Sequence, residues 1–193
     1  MDVQEAIQAR RAYRSLAPVD IPDDLILDLA RHAQLAPSCN NNQPWRFVFV
    51  RDPAKLGELH AALNRPGNDW ARLASMIVAV FSRKEDDCVI RDREYHLFGV
   101  GLASAFLLLR ATELGLVAHP IAGFSPKKTR EVLGIPEDFQ VITLIIVGRK
   151  AAEVSPILSP KQVEQERERP ARRPVGDFAF LDVHGRPVPS AGD

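Results

Sequence analysis

The sequence has little cysteine, no excess of charge of either sign and no long hydrophobic run. Its two cysteines, Cys39 and Cys88, lie in unrelated contexts without CxxC spacing, so we expect a reducing compartment and no disulfide framework. The 25 basic and 25 acidic side chains balance, whereas a nucleic-acid partner calls for a net basic face. No apolar run reaches the roughly 18 residues of a membrane span, and the N-terminus has no apolar signal core. A soluble, cytoplasmic protein is expected.

The chain of 193 residues is long enough for one domain with a full hydrophobic core. Its character changes after Lys150, because the remaining residues hold six of the fifteen prolines and many charges. We therefore expect a single domain over 1–150, a C-terminal extension over 151–183, and a flexible tail over 184–193.

Hydrophobic periodicity and stop signals predict an alternation of helices and strands. Asp52 and Pro53 are a typical helix start, with the carboxylate as cap and the proline at the first position. The predicted helices cover 2–10, 22–36, 52–63, 94–114 and 125–134, and the predicted strands cover 46–50, 76–81 and 141–147.

The longest predicted helix is apolar on every side over residues 97–109. One sheet layer cannot cover such a helix, so a partner chain is its expected cover. Within it, the run from Gly99 to Ser104 imitates a dinucleotide-binding fingerprint, but no strand precedes it. Close helix packing at a dimer seam explains these glycines better.

The segment Pro37-Ser38-Cys39-Asn40-Asn41-Asn42-Gln43-Pro44-Trp45 places small polar residues between two prolines. Prolines stop regular structure, and Ser and Asn side chains compete for backbone hydrogen bonds. We expect a rigid loop, rich in amide donors and acceptors, that suits a flat ligand with a polar edge. An ordinary polar turn between a helix and a strand is the alternative.

Two basic segments lie far apart in the sequence. The first is Arg10-Arg11-Ala12-Tyr13-Arg14, where Arg10 and Arg14 would share one side of the first helix if that helix continued. The second contains Arg169, Arg172 and Arg173. A solvated basic helix end is the alternative for the first segment. The five histidines lack metal-ligand spacing, so no metal site is expected.

Taken together, three motifs resemble the nitroreductase family of FMN enzymes. They are Arg-Arg-x-x-Arg at Arg10–Arg14, Ala36-Pro37-Ser38-x-x-Asn41-x-Gln43-Pro44-Trp45, and Pro120-Ile121-Ala122-Gly123-Phe124. The resemblance runs from the first helix to about Arg173. It implies an α+β, three-layer fold, with a mixed, mainly antiparallel sheet flanked by helices, in an intertwined homodimer. The FMN sites would lie at the subunit interface, and the C-terminal extension would dock on the partner.

The resemblance also implies roles for individual residues. The family's phosphate and pyrimidine-edge contacts fall on Arg10, Arg11 and Arg14, with Ala12 where the family usually has Ser, and the late basic pair falls on Arg172 and Arg173. The contacts to the neighbouring subunit's flavin fall on Pro37, Ser38, Cys39 and Asn41. Asn68 would bind the pyrimidine edge, and the backbone of Ala122 and Gly123 would face flavin N5.

The implied activity is two-step electron transfer from NAD(P)H, through FMN, to a small-molecule acceptor such as a nitroaromatic or a quinone. Two alternatives are a non-enzymatic flavin-binding or storage module and a flavin enzyme of the same fold with dehalogenase or flavin-fragmenting chemistry. About a dozen residues separate Phe81 from Glu94, which leaves no room for the helical insertion of many relatives.

Overall fold

The computed structural model describes residues 1–63 and 67–189. The expected flexible tail over 184–193 thus falls partly outside the described residues. The helices are α1 (Val3–Ala9), α2 (Asp23–Gln34), α3 (Pro53–Leu59), α4 (His96–Glu113), α5 (Pro126–Leu133) and α6 (Pro160–Arg167). The strands are β1 (Leu16–Ala17), β2 (Arg46–Val50), β3 (Met76–Ser82), β4 (Val89–Ile90), β5 (Arg93–Glu94), β6 (Val117–Ile121) and β7 (Gln140–Lys150).

The central sheet is built on β3 and β7, which pair in antiparallel register from Met76 with Val147 to Ser82 with Gln140. β2 extends the sheet on the far side of β3, β6 pairs with the opposite side of β7, and the short β1 pairs with the end of β7 beyond its pairing with β3. Each of these pairings is antiparallel. Every residue of β3 is buried, which is why its sequence is apolar without alternation.

Alternate side chains of the two central strands enter two separate cores. Ile77 and Ile146 face the core beneath α3 and α5, whereas Met76 and Val78 face the core beneath α2 and α4. A period of two residues places successive side chains on opposite faces of a sheet, so helices are needed on both faces. The α+β, three-layer architecture expected from the sequence is confirmed.

The first helix is shorter than predicted. α1 ends at Ala9, and Arg10 has φ −58° and ψ 120°, which is outside the helical region. The backbone N–H groups of Arg14 and Ser15 bind the Glu166 carboxylate, so a helical hydrogen-bond ladder cannot continue through them. The condition under which Arg10 and Arg14 would share one helical side is therefore not met.

α4 leaves part of its apolar surface exposed. Phe98 is 65% exposed, and Leu97 and Phe106 are also exposed. Gly99 is buried, and a methyl group added there would lie 3.3 Å from Cγ of Pro44 in the same chain. The close approach at this glycine is therefore to its own loop, and a dimer seam along α4 stays a prediction. None of the helices in the described ranges is both long and apolar enough to cross a membrane.

Several short elements were not predicted from the sequence. They are β1, β6, the β4–β5 hairpin and α6. α6 has a local signal, because Ser159 and Gln162 form a reciprocal capping box around Pro160 at the first helical position. The β4–β5 hairpin lies between β3 and α4, where the sequence leaves no room for a helical insertion.

Cys39 and Cys88 form a disulfide, with Sγ atoms 2.05 Å and Cα atoms 6.0 Å apart. The expectation of unpaired cysteines is wrong. Because the expected reducing compartment was inferred from unpaired cysteines, that inference no longer has support. The pair joins the loop before β2 to the start of the β4–β5 hairpin. The two cysteines are 49 residues apart in the sequence, so no local pattern predicts that they pair. The sheet and α4 bring the two segments together.

Removing this cross-link should destabilise the protein. A loop of this length gives up to about 4 kcal/mol in the chain-entropy description, so we expect the Cys39→Ser, Cys88→Ser double variant to unfold at lower urea concentration. Wild-type protein treated with a dithiol reductant is the control and should match the double variant. Alkylation of both cysteines in unreduced wild-type protein, measured by mass spectrometry, would contradict the disulfide.

Candidate active site

The arginine segment, residues 10–15, runs from the end of α1 to the start of β1 and forms one wall of a cavity of about 210 Å³. The opposite wall is formed by Gln165 of α6 and by residues just after this helix. The two basic segments of the sequence therefore meet, although more than 150 residues separate them. The cavity is lined by Arg10, Arg11, Ala12, Arg14, Gln165, Arg169, Pro170 and Arg172. Arg173, also predicted, is exposed and is not among the lining residues.

The cavity concentrates positive charge, since five arginines are among its lining residues. Desolvation, followed by the like charges of Arg169 and Arg172, lowers the pKa of Arg10. Desolvation also lowers the pKa of Arg14, although the Glu166 charge opposes that change. Within residues 1–63 and 67–189, the guanidinium groups of Arg10, Arg14 and Arg172 have no hydrogen-bond or close ion-pair partner. Such a cluster favours an anion, above all a phosphate dianion.

Two other arginines build the walls. The Arg11 Nη2 donates to the backbone carbonyls of Gln165 at 3.0 Å and Glu166 at 3.2 Å, and its guanidinium lies 4.8 Å from the Tyr13 ring centre. The Arg169 Nη2 donates to the carbonyl of Arg10 at 3.0 Å. Arg11 was predicted to bind ligand, but its hydrogen bonds here hold the two walls together.

The predicted ring-binding residues also meet. Asn68 Nδ2 donates to the carbonyl of Gly123 at 2.7 Å, which joins the segment before β3 to the loop after β6. Gln162 of α6 donates to the Gly67 carbonyl at 2.9 Å and links this pair to the helix beside the basic cavity. Ala122 is exposed and Gly123 is half-buried beside it.

His119 was missed by the sequence reasoning, because a single histidine in an apolar strand gives no signal. It is buried in β6, stacks on Trp70 with ring centres 4.6 Å apart, and places Nδ1 3.0 Å from the Tyr13 carbonyl. Burial lowers its pKa to about 4, with the Tyr13 hydrogen bond opposing and Arg14 assisting that change. The imidazole is therefore neutral near pH 7 and supports the arginine segment without adding charge.

The loop over residues 37–45 lies against a different part of the chain. Asn40, Asn41 and Gln43 have positive φ angles between 49° and 58°, the left-handed region that asparagine tolerates best. Asn42 donates to Asp87, and the Pro44 carbonyl accepts from the buried Ser82 hydroxyl. Between described residues, no hydrogen bond or ion pair joins this loop to the residues lining the basic cavity.

The loop contains the predicted positions Pro37, Ser38, Cys39 and Asn41. Ser38 Oγ accepts from the backbone N–H of Gln43 at 2.9 Å and so closes the turn, while Cys39 is held in the disulfide. Within one chain, these four residues are not brought together with the arginine cluster.

The sequence pattern of the nitroreductase family matches residues 7–66 and 58–149, which is well over half of the chain. The chain belongs to the nitroreductase family. This nitroreductase-family protein is 26% identical, over 187 residues, to a Thermus thermophilus protein named NADH dehydrogenase; the match covers 81% of this chain and 90% of the relative.

Two further comparisons extend the family match. A solved structure described as an oxidoreductase containing FMN superposes with a TM-score of 0.82 and 28% identity, covering 96% of this chain and 94% of that one. An iodotyrosine deiodinase of Haliscomenobacter hydrossis is 27% identical over 169 residues, covering 74% of this chain and 76% of the relative.

The buried His119 should make this nitroreductase-family protein sensitive to acid. The unfolded chain takes up a proton as the pH falls through 6.5, whereas the folded chain takes it up near pH 4. The free energy of unfolding should thus fall by about 3 kcal/mol between pH 7 and pH 4 on account of this residue. The His119→Phe variant keeps a ring on Trp70 and should lose that part of the pH dependence in urea unfolding. Parallel pH profiles for the two proteins would contradict the assignment.

Proposed function

We propose that this protein is an FMN-dependent oxidoreductase that passes electrons from NAD(P)H to a nitroaromatic, a quinone or a similar small-molecule acceptor in two steps. The observation that carries the proposal is the set of guanidinium groups at Arg10, Arg14 and Arg172 around one cavity, which have no hydrogen-bond or close ion-pair partner among residues 1–63 and 67–189. FMN would supply the hydride chemistry when bound. The residues of the chain bind it, orient it and stabilise charge.

The donor set fits an isoalloxazine nucleotide in two places. The arginines suit a phosphate, which guanidinium groups bind through two parallel hydrogen bonds. The Asn68–Gly123 pair is linked to α6, beside the basic cavity, by the hydrogen bond from Gln162 to the Gly67 carbonyl. The pair would offer a side-chain amide and backbone groups to the polar edge of a ring. No protein acid is assigned to protonate the acceptor, so water would supply those protons.

One chain offers an incomplete site. A cavity of about 210 Å³ is smaller than the roughly 300–1,000 Å³ of ligand pockets in general, so it suits the phosphate end of the cofactor. We propose that two chains form a homodimer through the exposed face of α4, and that the 37–45 loop of one subunit completes the site of the other. In this arrangement residues 1–150 are the FMN-binding domain, and 151–183 also dock on the partner subunit.

The first experiment is the visible spectrum of the purified protein, followed by anaerobic addition of NADH or NADPH. A flavin spectrum that bleaches with a nicotinamide donor, and returns when a quinone or nitroaromatic is added, is the expected result. A flavin spectrum that persists with both donors would favour a storage module instead. No flavin after incubation with FMN would refute the proposal.

Arg14→Ala should weaken FMN binding by about tenfold to a hundredfold, because it removes an unpaired charge from the cavity. Equilibrium dialysis with FMN measures the change. Arg31→Ala, at an exposed arginine on α2, is the matched control and should leave FMN binding unaltered. FMN binding of wild-type strength in Arg14→Ala would remove this residue from the site.

Gly101→Glu tests the shared site. Gly101 is exposed on α4 and has open space around its Cα, so the variant should fold as a monomer, with FMN occupancy well below that of wild type. The control is Gly57→Glu on α3, because Gly57 also has open space around its Cα. This variant should stay dimeric. Mass from light scattering and flavin content are measured together. A fully loaded monomer would show that one chain makes a complete site.

Reductive dehalogenation is the second candidate, because some relatives are named iodotyrosine deiodinase. Against it, the segment between β3 and α4 holds a 3₁₀ turn and two strands of two residues each, which leaves little chain to cover a halogenated phenol. Iodide release from diiodotyrosine under reducing conditions separates this chemistry from quinone or nitroaromatic reduction.

A further inference from the structure

α6 carries one of the few buried charges in the described part of the chain. Glu166 is 6% exposed, and its carboxylate Oε1 accepts hydrogen bonds from the backbone N–H groups of Arg14 and, at 3.3 Å, Ser15. A buried carboxylate is costly unless it is paired or hydrogen-bonded. Here the pairing partner is the backbone of the arginine segment itself.

Further side chains fasten the same two segments to one another. Arg11 donates to carbonyls of α6, and Arg169 donates to the carbonyls of Gln8 and Arg10. Each contact joins a side chain of one segment to the backbone of the other. The backbone around Arg10 and Arg14 is thus held at several points, while their guanidinium groups have no hydrogen-bond or close ion-pair partner in the described part of the chain.

Ser15 shows how much depends on the Glu166 contact. It is 1% exposed, its Oγ accepts from the backbone N–H of Ser155 at 2.9 Å, and its carbonyl accepts from Ala151. Without the carboxylate, its N–H would be a buried donor with no partner, which costs more than a lost surface hydrogen bond. The arginine segment would then have to shift to find another acceptor.

We infer that Glu166 is a positioning residue that sets the geometry of Arg14 and Arg10 for a phosphate group, and so makes the site prefer a phosphorylated flavin over riboflavin. This inference rests on the proposed FMN site. The carboxylate acts through the backbone and does not touch the ligand. The Glu166 charge attracts the Arg14 guanidinium but would repel a phosphate beside it, so the benefit of Glu166 is assigned to its two N–H contacts.

The test compares FMN with riboflavin in equilibrium dialysis of the full-length protein. Glu166→Ala should weaken FMN binding about tenfold to a hundredfold and change riboflavin binding less than about twofold. Glu166→Gln keeps an acceptor oxygen and should recover most of the FMN affinity. Glu164→Ala, on the exposed side of α6, is the control and should resemble wild type.

Two results would overturn the inference. Equal losses for FMN and riboflavin would assign Glu166 to general stability, and tighter FMN binding in Glu166→Gln would show that its charge opposes the phosphate. Glu166→Gln also decides the matter if the alanine variant does not fold.

A readout without flavin separates this inference from the proposed function. Hydrogen exchange at the Arg14 and Ser15 amides should be slow in wild type and Glu166→Gln, and fast in Glu166→Ala. If wild-type protein binds neither flavin, the proposed function fails. The exchange rates would still test the contact between Glu166 and the arginine segment. Slow exchange in Glu166→Ala would refute it.

Discussion

The antiparallel pairing of β3 with β7 is the constraint on which the rest of the molecule depends. Both strands are apolar on both faces in their central parts, so two helical layers are required, and β7 is long enough to pair beyond the end of β3. β6 pairs with residues 144–148 of β7, and β1 pairs with Arg149 and Lys150, the last two residues of that strand. The length of β7 thus lets both strands pair with it, and the arginine segment before β1 meets β6 where His119 Nδ1 lies 3.0 Å from the Tyr13 carbonyl.

The basic cavity places like charges close together, which is electrostatically unfavourable. Several arginines in a partly desolvated space repel one another, and burial lowers the pKa of Arg10 and Arg14. The chain stabilises the surrounding backbone with Glu166 and with carbonyl contacts, and it leaves the repulsion between the guanidinium groups in place. A bound phosphate would relieve that repulsion, so the energy of the cavity favours the ligand-bound state.

Sequence reasoning found what local patterns encode. The apolar run of β3 and the Asp52 cap of α3 lie close to where they were predicted. Arg10 and Arg14 line one cavity and Asn68 binds Gly123, while the binding roles of these residues stay predictions. It missed what depends on distant pairing. β1 has two residues, the disulfide spans 49 positions, and the role of Glu166 appears when α6 meets a segment about 150 residues earlier.

The position of Pro120 in β6 has a consequence for how the sheet meets other molecules. β6 lies at a sheet edge, and its Pro120 lies opposite Ile145 of β7 in the strand register. A proline has no N–H, so the outer side of this strand cannot offer a complete row of donors to an incoming strand. The edge beside the candidate site is therefore protected against β-sheet aggregation by a residue of the motif that borders the site.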